Sequence, residues 1–578
     1  MNLSPETKLN IHKAHYVREL GPENYRVKYF NVFELIEYRA HLHPDDTYIA
    51  FYSDDGKRVQ LTYSELAAKV FKTANLLKKN GIVAEDRIAT VSHNHINTVI
   101  QYFAAWALGA TVVPINVNEE PERIKYILES SQAKLAFVKV EYLKKITDIN
   151  IELPGLNKIF AHGVGSKWES VPNGMEIYED EMEKESSMFA PGENVSRETE
   201  ALIVYTSGTT GMPKGVVLTQ YNLMIDAEGI AKWHKIEKGQ CMMCVLPIHH
   251  VNGTVVTIMT SIYAGCKLVL NQKFHTDKFF QRIAEENVQI VSVVPTLLQF
   301  LCHDFKDNPP SPSGRGMGGG VVAFRHIICG AGPLTCELSL KFESMFNMKI
   351  VHGYGLSETT CYSCFLPIDI PQGEHKKWLN DYGFPSIGVE IEPNEMAIHN
   401  DKGESIPEGE RGEIVIRGHN VMKYYDENEE ANDKTFEFGW FRSGDEGFYK
   451  TDSQLRKYYF ITGRLKELII RGGINIAPLE IDEVLMKLPE VKTGIAVGFD
   501  NDWYGEEVGA LVLLEENMIE SDEVMESIIK QCREQLPYYK TPKIIIFSDT
   551  IPVTSTGKYQ RNKVVHLFSE HKTTQFKQ

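Results

Sequence analysis

The run Tyr205-Thr-Ser-Gly-Thr-Thr-Gly-Met-Pro-Lys-Gly215 crowds hydroxyl side chains, glycines and one lysine into eleven residues. A turn of that composition leaves backbone N–H groups and the O–H donors of Thr206, Ser207, Thr209 and Thr210 free for phosphate oxygens. Gly208 and Gly211 keep the backbone accessible, and Lys214 adds a positive charge. The spacing is not that of a P-loop. Counted from Gly208, the second conserved glycine would fall on Pro213, and Gly215 follows Lys214 where Ser or Thr is required, which disfavours a P-loop ATPase or a kinase.

Other stretches carry groups of complementary type. In His352-Gly353-Tyr354-Gly355-Leu356-Ser357-Glu358-Thr359, Tyr354 stands between glycines, where a flat ring can lie against a purine. Ser357 and Glu358 offer the hard oxygen ligands that Mg²⁺ prefers. Asp445, in Phe441-Arg-Ser-Gly-Asp445, can accept both hydroxyls of a ribose, and Arg464 can donate to the same sugar. Each residue has an ordinary alternative taken alone: a solvated carboxylate, a turn aspartate, a core tyrosine. Their occurrence together is what carries meaning.

In this order the motifs resemble those of the adenylate-forming superfamily, which includes acyl-CoA synthetases, aryl-CoA ligases, firefly-type luciferases and adenylation domains. Tyr205–Gly215 resembles the family's phosphate loop. Cys329-Gly330-Ala331-Gly332-Pro333-Leu334 is similar to its adenine-binding turn, and His352–Thr359 to its aromatic and acidic segment. Phe441–Asp445 resembles the ribose motif, Gly463-Arg464-Leu465-Lys466 the hinge, and Pro552-Val-Thr-Ser-Thr-Gly-Lys558 the C-terminal lysine loop. The resemblance implies ATP, Mg²⁺ and coenzyme A as cofactors, with Glu358 on the metal. It implies Lys558, Glu358, Lys214 and His250 as candidate catalytic residues, and Lys466 as the residue about which the C-terminal domain swings.

The chemistry explains the need for cations. A carboxylate is a poor acyl donor until its oxygen is transferred to AMP, and it must first approach a triphosphate. One pair of like charges at about 4 Å costs about 4 kcal/mol at an effective dielectric near 20. A metal at Glu358 and the ammonium of Lys558 can offset that repulsion and hold an in-line approach. Attack by a thiol then requires Lys558 to leave. Gly472 and Gly473 (in Arg471-Gly-Gly) are expected either to face a pantetheine channel or to form a plain hairpin turn. Leu246-Pro-Ile-His-His-Val-Asn-Gly253 resembles the segment lining the acyl site, so His249, His250 and Asn252 are candidate substrate contacts, with Trp233 and His234 upstream as lesser ones. Amino-acid-activating domains carry an aspartate here, which argues against an amino-acid substrate.

Some positions depart from the pattern. Gln220 replaces a frequent histidine, and the segment 372–388 departs from the usual linker. Ile474 and Ala477 replace residues often acidic and aromatic in CoA ligases, so a carrier-protein phosphopantetheine stays open as the acceptor. A non-catalytic nucleotide-binding homologue should have lost Lys558 or Glu358, and both are present. The expected activity is an AMP-forming ligase joining a small-molecule carboxylic acid, not an amino acid, to CoA.

The elements that must position these groups read as α/β. Amphipathic stretches such as 66–79 and 219–232 alternate with short β-branched runs at 87–92, 201–205, 289–293 and 326–329. After about Gly463 a complete small α/β unit follows: helix 479–488, strands 493–498 and 507–514, helix 521–535 and strand 543–547. The expectation is a large multi-layer N-terminal domain of sheets and helices, 1–463, and a small mobile C-terminal α/β domain, 464–578. Ile88 to Asn118 holds no charged residue, yet polar and Gly/Pro interruptions make it a strand, a buried helix and a strand rather than a membrane span. The stretch 311–320 reads as a Gly/Pro-rich surface loop.

The 578 residues carry 61 Lys and Arg against 78 Asp and Glu, a net charge of −17, which excludes the basic footprint a nucleic-acid binder needs. Nine scattered cysteines include two C-x-x-C spacings, Cys241/Cys244 and Cys361/Cys364, which read as buried free thiols rather than zinc ligands. With no apolar leader in the first fifteen residues, a reducing cytoplasmic setting is expected.

Overall fold

The computed structural model describes residues 3–24, 27–149, 155–163, 172, 174–206, 212–307, 309–310, 324–516, 518–554 and 558–576. Within these, the uncharged segment resolves as anticipated into strand Arg87–Val91, helix Ile96–Leu108 and strand Thr111–Ile115. Apolar residues occur all round that helix, and nearly every one of its side chains is buried. The Trp106 indole N–H donates to the Ala201 carbonyl at 2.7 Å, and Gln220 returns a bond to the Trp106 carbonyl at 2.8 Å. The Gln220 departure is therefore filled by packing. Among the described residues no helix is long and apolar enough to cross a membrane.

Two sheets carry the large domain. One has a parallel centre built from Thr47–Tyr52, Lys267–Asn271, Cys241–Cys244, Ile290–Val293, His326–Cys329 and Ile350–Tyr354. It continues through antiparallel Cys364–Phe365, Ser386–Glu390, Lys457–Arg464, Phe441–Thr451, Gly412–Gly418 and Asn394–His399. The second sheet runs from Tyr424–Tyr425 through Lys214–Thr219 and Glu200–Thr206 to parallel strands Thr111–Ile115, Arg87–Val91, Leu135–Lys139 and Lys158–His162. In the small domain, Val491–Asn501 and Gly505–Leu514 pair antiparallel, and Ile544–Phe547 lies parallel beside the latter.

Two elements differ from the sequence reading. Lys214–Thr219 is a strand antiparallel to Glu200–Thr206, and the helix Gln220–His234 starts directly after it. The β-branched Val-Val-Leu-Thr run carries that strand. The antiparallel extension from residue 386 to 464 also lies outside the expected strand–helix alternation: Asn394–His399 with Gly412–Gly418, and Phe441–Thr451 with Lys457–Arg464, are consecutive antiparallel pairs with no helix between them. All nine cysteines are buried and free.

Candidate active site

Asp445 and Arg464 sit directly opposite each other on neighbouring antiparallel strands, so sheet register alone brings them together. The Arg464 Nε lies 3.1 Å from Asp445 Oδ1, and the Tyr354 hydroxyl donates to Asp445 Oδ2 at 2.6 Å. The Asp445 carboxylate holds the guanidinium further above its ordinary range, and burial together with that carboxylate raises the Tyr354 phenol. Each carboxylate oxygen keeps a lone pair for a ribose hydroxyl. The glycines flanking Tyr354 are also required by packing. A Cβ at Gly353 would overlap the Phe365 ring, and one at Gly355 the Cys361 carbonyl, so they let the following segment pack close. Next to them, a Cβ at Gly330 would meet the Tyr362 hydroxyl, and Ala331 adopts φ of 63° in the adjoining turn.

Ser207, Gly208, Thr209, Thr210 and Gly211 lie outside the described residues. Their flanks are fixed: Thr206 pairs with Lys214 across the hairpin. The Lys214 Nζ stands 4.9 Å from the centre of the Tyr425 ring, and the Tyr425 hydroxyl donates to Glu358 Oε1 at 2.8 Å. Burial, then the charge of Lys466, lowers the Lys214 pKa, while Glu358 opposes the shift. Lys466 itself is exposed on the short turn Leu465–Glu467. The donor set suits Mg²⁺, which is usually held by one or two carboxylates and by substrate phosphates: Glu358 keeps a second oxygen, and Ser357 precedes it in the same turn. Tyr425 went unnoticed in the sequence, since an aromatic doublet in a charged loop carries no motif.

Lys558 reaches this group from the small domain. It is half-buried, and burial followed by the charge of Arg464 lowers its pKa, while Asp445, Glu358 and Glu467 oppose the shift. Residues 555–557 of its loop lie outside the described set, but Lys558 N–H donates to the Thr554 hydroxyl at 3.1 Å and Val553 bridges Tyr559. Arg561, three residues on, forms a buried ion pair with Asp482. A cavity of about 190 Å³ has Gly332, Tyr354, Asp445, Arg464 and Lys558 in its wall.

On the acyl side, burial and then Lys558 push His250 down to about 4, so the imidazole is neutral and within electrostatic reach of the lysine. The His249 ring lies 4.4 Å from that of His250 between centres, tilted at 52°; burial, then His250, lowers its pKa, and its Nε2 has no partner among the described residues. Asn252 donates to the Tyr362 hydroxyl at 3.3 Å and accepts from Ser292 at 2.7 Å. Trp233 and His234 turn out to be packing residues, bonded to the Leu366 carbonyl and to His326. Gly472 and Gly473, with φ of 57° and 83°, form an exposed hairpin turn and do not line the cavity in this domain arrangement.

Tyr354, Asp445 and Arg464 from the large sheet and the half-buried Lys558 from the C-terminal unit thus meet at one cavity. The chain belongs to the family of AMP-binding enzymes, whose model matches residues 36–426 while the model of that family's C-terminal domain matches 480–558. It is 30% identical over 517 residues to an oxalate–CoA ligase of Arabidopsis thaliana, covering 89% of this chain and 94% of that protein. It is 29% identical over 537 residues to a sulfoacetate–CoA ligase of Cupriavidus necator, covering 92% and 97%. Among solved structures, an anthranilate CoA ligase in complex with anthranoyl-AMP matches with a TM-score of 0.80 at 22% identity, covering 95% and 98%.

Proposed function

We propose that Lys558, Asp445, Arg464, Glu358, Lys214 and His250 form the site of an AMP-forming acid–CoA ligase. In the first step a carboxylate oxygen attacks the α-phosphorus of ATP, forming acyl-AMP and releasing pyrophosphate. In the second the CoA thiol attacks the acyl carbonyl, forming the thioester, releasing AMP and giving up the thiol proton. The observation that carries this reading is the placement of Lys558, from the C-terminal domain, in one cavity wall with Tyr354, Asp445 and Arg464.

Asp445 and Arg464 hold the ribose, Lys214 and the hairpin hydroxyls the phosphates, and Lys558 steers the acid's carboxylate toward the α-phosphate while neutralising charge as it develops. Mg²⁺ bound at Glu358 supplies further neutralisation of the phosphates. Neutral His250, within electrostatic reach of Lys558, is assigned to the acid's side of the site together with His249 and Asn252. For the thiol step Lys558 withdraws as the unit beyond Lys466 turns about that residue, which leaves Arg464 on the large domain's sheet and brings Gly472 and Gly473 toward the thiol's path. Nine buried free thiols favour a reducing compartment such as the cytoplasm.

A panel of aliphatic, aromatic and hydroxy acids, read by pyrophosphate release, tests this reading. Acid-dependent release of pyrophosphate with thioester formation on adding CoA is expected. Thioester formed only on a carrier-protein phosphopantetheine would move the acceptor, and no acid-dependent pyrophosphate with any acid would overturn the reading.

A further inference from the structure

The helix Cys336–Phe346 begins beside the nucleotide cavity, and its first turn leaves N–H groups that the helix itself cannot pair. The Thr335 side chain accepts from Leu338 N–H at 3.1 Å, and the Thr335 carbonyl accepts from Ser339 N–H at 3.1 Å. The Cys336 N–H is met from the other domain: it donates to Glu483 Oε1 at 3.0 Å. Glu483 stands on the helix Pro478–Leu485, is 5% exposed, and leaves its Oε2 without a partner among the described residues. Burial pushes its carboxyl up to about 7, helped by Asp482 and Glu337 and opposed by the Cys336 N–H and Lys487. Either protonation state can accept this bond, and the helix dipole favours an acceptor there.

Other polar contacts between the domains lie nearer solvent. Gln299 donates to Thr493 at 3.1 Å, and Arg411, 38% exposed, stands 3.7 Å from Glu480. Thr335, Leu338, Glu483 and Met486 share the wall of the cavity that also holds Lys558. The Glu483 contact is thus the buried polar link beside the site.

We propose that Glu483 is a positioning residue for Lys558: by accepting the Cys336 N–H it seats the C-terminal domain in the orientation that delivers the lysine. This rests on the two-step reading above. The bond must break when the domain turns, so it favours the first step alone.

The test separates the half-reactions. Glu483→Ala is expected to slow acyl-AMP formation about tenfold, the scale of a lost buried hydrogen bond. Thioester formation from supplied acyl-AMP should be unchanged or faster. Glu483→Gln, which keeps a carbonyl acceptor, should stay within about threefold of wild type. Cys336→Pro removes the donor instead. Proline suits the first helical position, and Thr335 at φ −94°, ψ 153° already has the backbone a following proline needs. It should reproduce the split with an unchanged melting temperature. Equal loss of both steps in both variants, or wild-type rates in Glu483→Ala, overturns the proposal. If wild type itself forms no acyl-AMP with any acid, the functional reading fails instead.

Discussion

The site has two halves built on different principles. The ribose side consists of strand neighbours within one sheet, where Asp445 and Arg464 are cross-strand partners and Tyr354 caps the carboxylate from a third strand. Its geometry comes from sheet register and exists before any ligand arrives. The lysine side depends on docking of a second domain. Lys558 is anchored locally by Thr554 and the Arg561–Asp482 pair, but its place in the site is set by contacts that cross between domains. On the proposed two-step reaction, the groups assigned to both half-reactions sit on the sheet, whereas the group assigned to one is mounted on a separate domain.

Removing the mobile group should have the largest effect. Lys558→Ala is expected to slow acyl-AMP formation by roughly 10²–10³-fold, the scale for loss of one transition-state charge contact, while sparing thiol attack on supplied acyl-AMP. Equal loss of both steps would erase the distinction between the halves. Asp445→Asn should act differently. It keeps an acceptor for Tyr354 but leaves Arg464 without its charged partner. A loss of roughly tenfold in kcat/KM for ATP is expected, and a similar weakening of acyl-AMP use in the second step. A defect confined to the first step would show that the ribose side, too, serves only one reaction.

The sequence was most legible where one motif implied one local structure. The buried helix Ile96–Leu108 and strand Thr111–Ile115 follow from apolar pattern and a stop at Gly109. The two-domain α/β plan followed from the change of texture near Gly463. The grouping of Tyr354, Asp445, Arg464 and Lys558 was legible only through resemblance, since no local spacing says that residues so far apart meet. What escaped depends on tertiary pairing: the strand Lys214–Thr219, hidden between a glycine-rich turn and a helix, and the reason for Gly353 and Gly355, which lies in the segment packed against them. Glu483 and Tyr425 escaped for the same reason. Each acts across an interface between elements, where a single sequence holds no periodic signal.

The smallest expected effect sharpens the comparison from the rigid side. Tyr425 stands on a short strand paired to the phosphate hairpin, and its hydroxyl fixes one oxygen of Glu358. The Glu358 main chain is held independently, because Met422 N–H donates to the Glu358 carbonyl at 2.7 Å. Tyr425→Phe should therefore loosen the carboxylate's rotation without displacing the residue. The Mg²⁺ concentration at half-maximal acyl-AMP formation should rise severalfold, consistent with about 1 kcal/mol for a lost hydrogen bond. The rate at saturating Mg²⁺ should change less, and direct Mn²⁺ binding to the nucleotide-loaded protein should weaken in parallel. Superimposable metal titrations would mean that the backbone of the turn Ser357–Thr359, held by the Met422 N–H, positions Glu358 without its side-chain partner.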